Sequence, residues 1–348
     1  SGCGGCDLDE LSYEAQLTSL ARMAQRALRL DAPPTMVASP RRTAHRARIK
    51  LAVRGHEAGY RAARSHDLVR PDLCRIARPE VQVAHQRLLV WLADHGSEGL
   101  DEVEIRSDGA RVVYAFTTEG SVPRATRQAL SELGPVALDG RRVDEDPNLT
   151  LLVRGLELRA GPRTFYQVNL EANELIVDHV LERVNESKPE RTLDLYSGIG
   201  NFSLPLAVVT GAPVLAVERE GQAIEDLKFS AERGGVSHLV RAITSPVERF
   251  DATREPFDVV VLDPPRVGAA GVVQNLVTNR PRRMVYVSCH VPAAARDLKP
   301  ALDAGYRISN VTCFDLFPDT HHFETVITLD RGPARAPSKP RRSGRRRR

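Results

Sequence analysis

The spacing of apolar residues along this chain changes near residue 164, and the change separates two kinds of expected element. Residues 12–30 carry apolar positions near helical spacing. They predict a helix stopped by Pro33-Pro34, because proline lacks the N–H that a helix needs. Short alternating runs at 46–70 surround Gly55 and Gly59 and predict a hairpin. Residues 80–95 return to helical spacing. The run VEIRSDGARVVYAFTT places Asp108-Gly109 between two strand-like stretches, a strong hairpin signal. LTLLVRGLELRAG reads as a further strand pair. Residues 31–160 are therefore expected to be mixed and sheet-rich, and no internal repeat is visible.

After 164 the pattern alternates between strands and helices. Residues 169–185 form an amphipathic helical stretch. Strands are expected at 192–195, 213–217, 239–243, 257–262, 284–288, 307–314 and 323–329, with helical stretches between most of them. Such alternation predicts an α/β fold: a parallel sheet covered by helices on both faces. The last two strands are joined by a short loop, so one of them should run antiparallel to the rest.

Composition narrows the class. The chain has 348 residues, of which 42% are hydrophobic and 27% charged. That is ordinary for a globular protein of one large domain or two, and excludes wholesale disorder or a fibrous repeat. No run of 18 apolar residues is present, so no spanning helix and no membrane partner are expected. The chain opens at Ser1 rather than Met, which points to a trimmed N-terminus. The net charge of +4 misleads when taken whole. Residues 331–348 hold nine Lys+Arg and no acid. Setting those nine aside from 49 leaves 40 bases against 45 acids, a net of −5. A second basic zone at 41–80 has eleven Lys+Arg against four acids. Lys occurs five times, so Arg dominates. Arginine binds phosphate bidentately, although codon usage has the same signature. The tail is low-complexity and expected to be disordered. The five cysteines are too few and too uneven for a disulfide scaffold, which favours a reducing, cytoplasmic setting.

Several candidate residues fall at the carboxyl ends of the expected strands, where open α/β sheets bind ligands. Asp194 ends the first strand, and Gly198 and Gly200 allow a tight turn into the next helix. Ser203 stands where a dinucleotide fingerprint wants a third glycine, which weakens a nicotinamide or flavin reading. Glu218, twenty residues after Gly198, is placed to accept the ribose hydroxyls of a nucleoside. Glycines serve plain turns as well, but the two acids at strand ends favour a nucleoside-bearing cofactor. The fourth strand ends in Asp263-Pro264-Pro265. In enzymes that methylate exocyclic amines an aromatic follows such a pair; here Arg266 follows. Cys289 falls just past the fifth strand on the same edge, beside a helix start expected to lower its pKa. Cys313, inside an apolar strand, reads as core. His321-His322 with Glu324 admits a metal reading, but two ligands do not make a site. Glu324 as a general base near Cys289 is the sharper alternative.

Together these segments resemble the RNA uracil-5-methyltransferase family. The matching residues are TFYQVN with Phe165 and Gln167, DLYSGIGNF, Glu218, LDPPR, SCHVPAAARDL and DLFPDTHHFET, in order between residues 164 and 325. The resemblance implies a class I, Rossmann-like methyltransferase domain at 161–330. It implies that Gln167, Tyr196, Asn201, Glu218 and Asp263 bind S-adenosylmethionine, that Cys289 adds to carbon 6 of uracil, and that Glu324 removes the carbon-5 proton. RNA cytosine-5 enzymes carry a second Cys beside the fourth-strand proline, and none is near Pro264. Residues 1–160 would then be an α+β, cysteine-bearing region for RNA recognition. Ribosomal-RNA members of the family often hold a [4Fe–4S] cluster on four cysteines. Cys3, Cys6 and Cys74 match three of these; the first would precede Ser1. Chance placement or a zinc site are the alternatives. SPVERF (245–250) lacks a clear acid at the family's adenine-contacting position. The expected partner is RNA, large-subunit ribosomal RNA before tRNA, with the zone at 41–80 and the tail supplying backbone affinity to a monomer. The rival readings are a noncatalytic RNA-binding protein and an iron–sulfur redox protein.

Overall fold

The computed structural model describes residues 3–62, 65, 67–70 and 74–332. The basic tail beyond residue 332 lies outside the described residues.

The chain opens with α1 (Tyr13–Leu28). Ser12 caps it by accepting a hydrogen bond from the Ala15 N–H at 3.3 Å. Pro33-Pro34 do not end the helix. Arg29 turns into the left-handed conformation (φ 55°) and closes it with a backbone bond to Arg26, as a C-cap does. After β1 (Thr35–Val37) come β2 (Arg48–Arg54), β3 (Glu57–Arg61) and β4 (Leu68–Val69). Next are α2 (Pro79–His95), β5 (Leu100–Ser107), β6 (Val112–Thr118), α3 (Arg124–Ala129), β7 (Val136–Leu138) and β8 (Arg141–Arg142). Strands β2 to β8 make a seven-stranded sheet ordered β4-β3-β2-β5-β6-β7-β8. Leu88 and Leu92 of α2 pack against its Leu51, Ile105 and Phe116. The β2–β3 hairpin turns at Gly55, at φ 60°. Gly59 lies instead within β3, where a Cβ would sit 3.0 Å from the Val69 carbonyl oxygen. At the other expected hairpin the Asp108 carboxylate accepts the N–H groups of Ala110 and Arg111, the local device that makes Asp a turn residue.

A two-stranded ribbon, β9 (Leu149–Val153) and β10 (Leu156–Ala160), leads into α4 (Leu170–Asn185), capped by Asn169. The rest of the chain is β11 (Thr192–Leu195), α5 (Ser203–Thr210), β12 (Val214–Glu218), α6 (Gly221–Arg233), β13 (Val240–Thr244), β14 (Val259–Leu262), α7 (Ala270–Asn279), β15 (Arg283–Ser288), α8 (Val291–Asp297), α9 (Lys299–Asp303), β16 (Tyr306–Phe314) and β17 (Glu324–Arg331). They form an eight-stranded sheet ordered β1-β16-β17-β15-β14-β11-β12-β13. Strands β11 to β15 are mutually parallel, and β17 is antiparallel to both of its neighbours.

The continuous apolar run of β14 follows from burial on both faces. Val259 and Val261 face Ile176, Leu204 and Leu227 of α4, α5 and α6. Val260 and Leu262 face Val273, Leu276 and Leu298 on the other side. The α/β architecture expected from the pattern is the one observed. The N-terminal segment packs on the same sheet: β1 pairs in parallel with β16, and Leu20 and Ala24 of α1 pack with Val291, Cys313 and Phe323. Among the described residues no helix is long and apolar enough to cross a membrane.

Candidate active site

The carboxyl ends of β11, β12, β14 and β15 gather the acids and the thiol at one edge. Asp194, wholly buried in β11, accepts the Ser203 hydroxyl at 2.5 Å, while its second oxygen has no hydrogen-bond partner among the described residues. Burial pushes its pKa up to about 7, against the pull of the Ser203 bond. The next residues turn sharply: Tyr196 has φ 62°, Gly198 φ 53° and Gly200 φ 94°. Gly200 is also tightly packed, since a Cβ would lie 3.0 Å from both the Leu204 and Leu227 side chains and push them aside. Glu218 binds this loop by accepting the Gly198 N–H at 3.2 Å. Its other oxygen accepts the N–H groups of Arg219 and Glu220.

A cleft opens beside the loop, bounded by Phe165, Gln167, Asn173, Tyr196, Asn201 and Asp263. The amides of Asn173 and Asn201 bond each other in both directions, at 2.8 and 3.0 Å. That fixes both side chains across the mouth. Phe165 is 59% exposed, and the Arg48 guanidinium lies 5.3 Å above its ring. The buried Arg106 sets the adjoining turn by donating to the Pro162 and Thr164 carbonyls. The Tyr196 hydroxyl donates to Glu248 at 2.9 Å, and burial together with that carboxylate holds the phenol strongly protonated.

Cys289 follows β15, Glu324 opens β17, and Asp263 follows β14. The Asp263 charge reaches both of the others, and Glu324 reaches the thiol. Burial pushes the Cys289 thiol up to about 11, with the Glu324 and Asp263 charges adding to the effect and Arg266 opposing it. The expectation that the neighbouring helix start lowers this pKa is therefore corrected. The following helix, α8, has only seven residues, and burial beside two carboxylates outweighs its N-terminal field. Burial raises Asp263 to about 7. Glu324 is 4% exposed, one of its oxygens lacks a partner among the described residues, and burial followed by the Asp263 charge drives its pKa well upward. The edge thus offers a thiol and two proton-holding carboxyls beside a glycine loop shaped for a small ligand.

Residues 136–332 match the sequence model of the tRNA (uracil-5-)-methyltransferase family. The chain belongs to that family. It is an S-adenosylmethionine-dependent RNA uracil-5-methyltransferase with the class I fold. Among its relatives is the 23S rRNA (uracil(1939)-C(5))-methyltransferase RlmD of Salmonella choleraesuis, 30% identical over 94% of this chain and 80% of that protein. The Pectobacterium atrosepticum enzyme of the same description is 33% identical over 93% and 77%. The crystal structure of Pyrococcus abyssi tRNA (uracil-54, C5)-methyltransferase in complex with S-adenosyl-L-homocysteine superposes with a TM-score of 0.77. That match has 26% identity and covers 93% of this chain and 85% of the other.

In SPVERF, Glu248 accepts the Tyr196 hydroxyl. The zone at 41–80 is not a surface of unpaired cations. Arg41, Arg42, Arg48, Lys50, Arg61, Arg70, Arg75 and Arg78 all lie within ion-pair distance of carboxylates, most of them from elsewhere in the chain. Cys3, Cys6 and Cys74 line one cleft with Arg46 and Tyr60. Burial raises the Cys6 thiol, and Arg75 opposes it. Yet among the described residues no three donor side chains are set closely enough to hold a metal ion. The His321 ring bonds Asp7. Sequence reasoning missed Asn173 and Asp297. Asn173 was hidden in an ordinary helical run. Asp297, buried, receives the Tyr286 hydroxyl at 2.7 Å and the Ala269 N–H. It thereby fixes the chain just beyond Asp263-Pro264-Pro265-Arg266, and only the fold brings it there.

Proposed function

We propose that this enzyme methylates a uridine of 23S ribosomal RNA by covalent catalysis at Cys289. The observation that carries the reading is the meeting of Cys289, Glu324 and Asp263 at one strand edge beside the Asp194–Glu218 loop. Carbon 5 of uracil is a weak nucleophile. Addition of the Cys289 thiolate to carbon 6 places the electron pair on an enolate, whose carbon 5 attacks the sulfonium methyl of S-adenosylmethionine. Glu324 then takes the carbon-5 proton, and the thiolate leaves as the ring double bond re-forms. A carboxyl with a raised pKa suits this proton transfer. Gln167, Tyr196, Asn201, Glu218 and Asp263 are assigned to the cofactor; Glu218 already accepts three N–H groups and keeps acceptor capacity for a ribose hydroxyl. The target base must leave its stack to reach the thiol, and exposed Phe165 at the cleft mouth suits its placement. The division of labour assigned is 1–160 for RNA recognition and 161–330 for chemistry, with residues 3–37 buttressing the catalytic sheet.

The ribosomal substrate rests on the relatives named for 23S rRNA. A tRNA substrate is the second reading, favoured by the likeness to the Pyrococcus abyssi enzyme. Monomeric, cytoplasmic action is part of the reading, consistent with five cysteines that form no disulfide. By the family resemblance the CGGC segment is assigned to a [4Fe–4S] cluster through Cys3, Cys6 and Cys74, which line one cleft but would have to draw closer together to bind it. Such clusters take four thiolates, and Cys289 and Cys313 belong to the other sheet, so the remaining donor is not a cysteine of these 348 residues. Iron and sulfide analysis of protein purified without oxygen decides that assignment. For the reaction, purified enzyme is given S-adenosylmethionine with 23S rRNA or tRNA, and nucleosides are measured by mass spectrometry. New 5-methyluridine in the ribosomal RNA is expected. Cys289→Ala should abolish it while cofactor binding persists, and Glu324→Gln should accumulate a denaturation-resistant RNA adduct. Unchanged turnover in Cys289→Ala would overturn the mechanism.

A further inference from the structure

We propose that a cleft between α3 and the β8 edge of the seven-stranded sheet is a docking site for the phosphodiester backbone of the RNA substrate, distinct from the cofactor cleft. The inference rests on the reading of RNA as substrate. Arg127 from α3, Arg141 and Arg142 from β8, and Arg163 from the turn before Phe165 line one cavity of about 850 Å³. All four are exposed, and none enters an ion pair among the described residues. The contrast with the 41–80 zone carries the argument. There most of the described guanidinium groups sit against fixed carboxylates; here none does. Two acids, Asp139 and Asp144, also line the cavity. Asp139 is engaged with the Thr118 N–H and hydroxyl at 3.1 and 2.7 Å. Four cations against two anions leave the cleft positive, and planar guanidinium forks match phosphate oxygens.

Edge protection is the ordinary use of charged residues on a strand such as β8. It accounts for Arg141 and Arg142 but not for Arg127 and Arg163, which come from a helix and a turn. Arg163 is moreover seated. Its stem runs over Gly140 (φ 81°), where any Cβ would collide with it. Gly140 supplies both the left-handed turn between β7 and β8 and the room for that stem. Arg163 is two residues before Phe165 and four before Gln167, so its backbone lies within about 14 Å of the cofactor cleft at full extension. A strand of RNA held here is therefore within a few nucleotides of the reacting base.

The experiment compares the full chain with Arg141→Ala/Arg142→Ala and, as a control, with Arg22→Ala/Arg26→Ala, which removes equal charge from the exposed side of α1. RNA affinity is measured without S-adenosylmethionine over a range of salt concentrations, then KM and single-turnover rate with it. Each lost phosphate contact should lower the slope of log affinity against log salt by about 0.7–0.9. The cleft variant is expected to lose about 1–2 in slope and to raise KM for RNA about tenfold, with the single-turnover rate at saturating RNA unchanged. The control should keep the wild-type slope. An unchanged slope in the cleft variant, or an equal fall in the control, overturns the site; a cleft that takes acidic peptide in preference to RNA does so as well. Arg127→Ala alone is the second variant should the double fail to fold. Absence of 5-methyluridine with the wild-type enzyme would instead overturn the reaction assignment and leave the binding slopes to stand on their own.

Discussion

At the scale of single residues, the thiol is the point of tension. The nucleophile proposed here must work as thiolate, yet the Cys289 thiol is raised to about 11 by burial and by Glu324 and Asp263. At pH 8 about one thiol in a thousand is then ionised. The sign of each neighbour is testable. In the pH range where Glu324 is ionised its charge resists thiolate formation, so Glu324→Gln should move the midpoint of Cys289 alkylation to lower pH. Arg266 favours the thiolate, so Arg266→Ala should move it to higher pH. Rates of iodoacetamide labelling of the Cys289 peptide, followed by mass spectrometry from pH 6 to 11, measure both. Equal midpoints in all three proteins would show that these charges do not reach the thiol. The places of Cys289 and Glu324 at strand ends were legible in the sequence, while the roles proposed for them came from the family resemblance. The direction of the thiol pKa was not, because carboxylates distant in sequence decide it.

At the scale of elements, the loop from β11 into α5 shows what turn chemistry contributes. Its glycines were legible as turn residues, but their two separate requirements were not. Gly198 needs only its left-handed backbone, with open space around it, whereas Gly200 needs both that backbone and the gap against Leu204 and Leu227. Gly200→Ala should therefore cost about 1–3 kcal/mol through the backbone alone, with displaced leucines adding to it. It should also weaken S-adenosylmethionine binding. Gly198→Ala should cost less stability. Urea unfolding with and without cofactor separates the two, and equal losses would refute the packing argument. The same contrast explains Gly59, which read as a turn glycine but lies within a strand, where a Cβ would meet the Val69 carbonyl oxygen at 3.0 Å and force that backbone to give way slightly. Alternation identified most strands because burial on one or two faces writes itself into the sequence. Helix ends were less legible, as α1 shows, where a backbone turn at Arg29 acts before the prolines do.

At the scale of the whole molecule, charge could be counted from the sequence but not located. The eleven basic residues of 41–80 looked like an RNA surface, but four of them, Arg41, Arg42, Arg75 and Arg78, join the N-terminal region to Glu171 and Asp319 of the region that carries the large sheet, and four more pair within the N-terminal sheet. Asp319 is the centre of that junction. Its left-handed backbone (φ 68°) turns the chain five residues before Glu324, and its side chain is 1% exposed. The carboxylate accepts from Gln16 at 3.0 Å, from Arg42 at 2.9 Å and from Arg75 at 2.8 Å. Its backbone N–H donates to the Gln16 side chain and its carbonyl accepts from Leu8, two residues after Cys6. One side chain thus ties the cysteine segment, the basic zone and the loop leading to Glu324. Both arginines are partly exposed and regain water when the acid is removed, so the cost falls below that of a fully buried broken pair. Asp319→Ala should lose about 2 kcal/mol of stability, and Asp319→Asn less, because its amide oxygen still accepts from Gln16. If the junction also sets Glu324, single-turnover rates at saturating RNA and cofactor should fall in Asp319→Ala while cofactor affinity holds. The decisive comparison is Gln16→Ala combined with Asp319→Ala. Residues in one network are not additive, so the double variant should lose clearly less than the sum of the singles. Strict additivity in urea unfolding would show that Gln16 and Asp319 act independently.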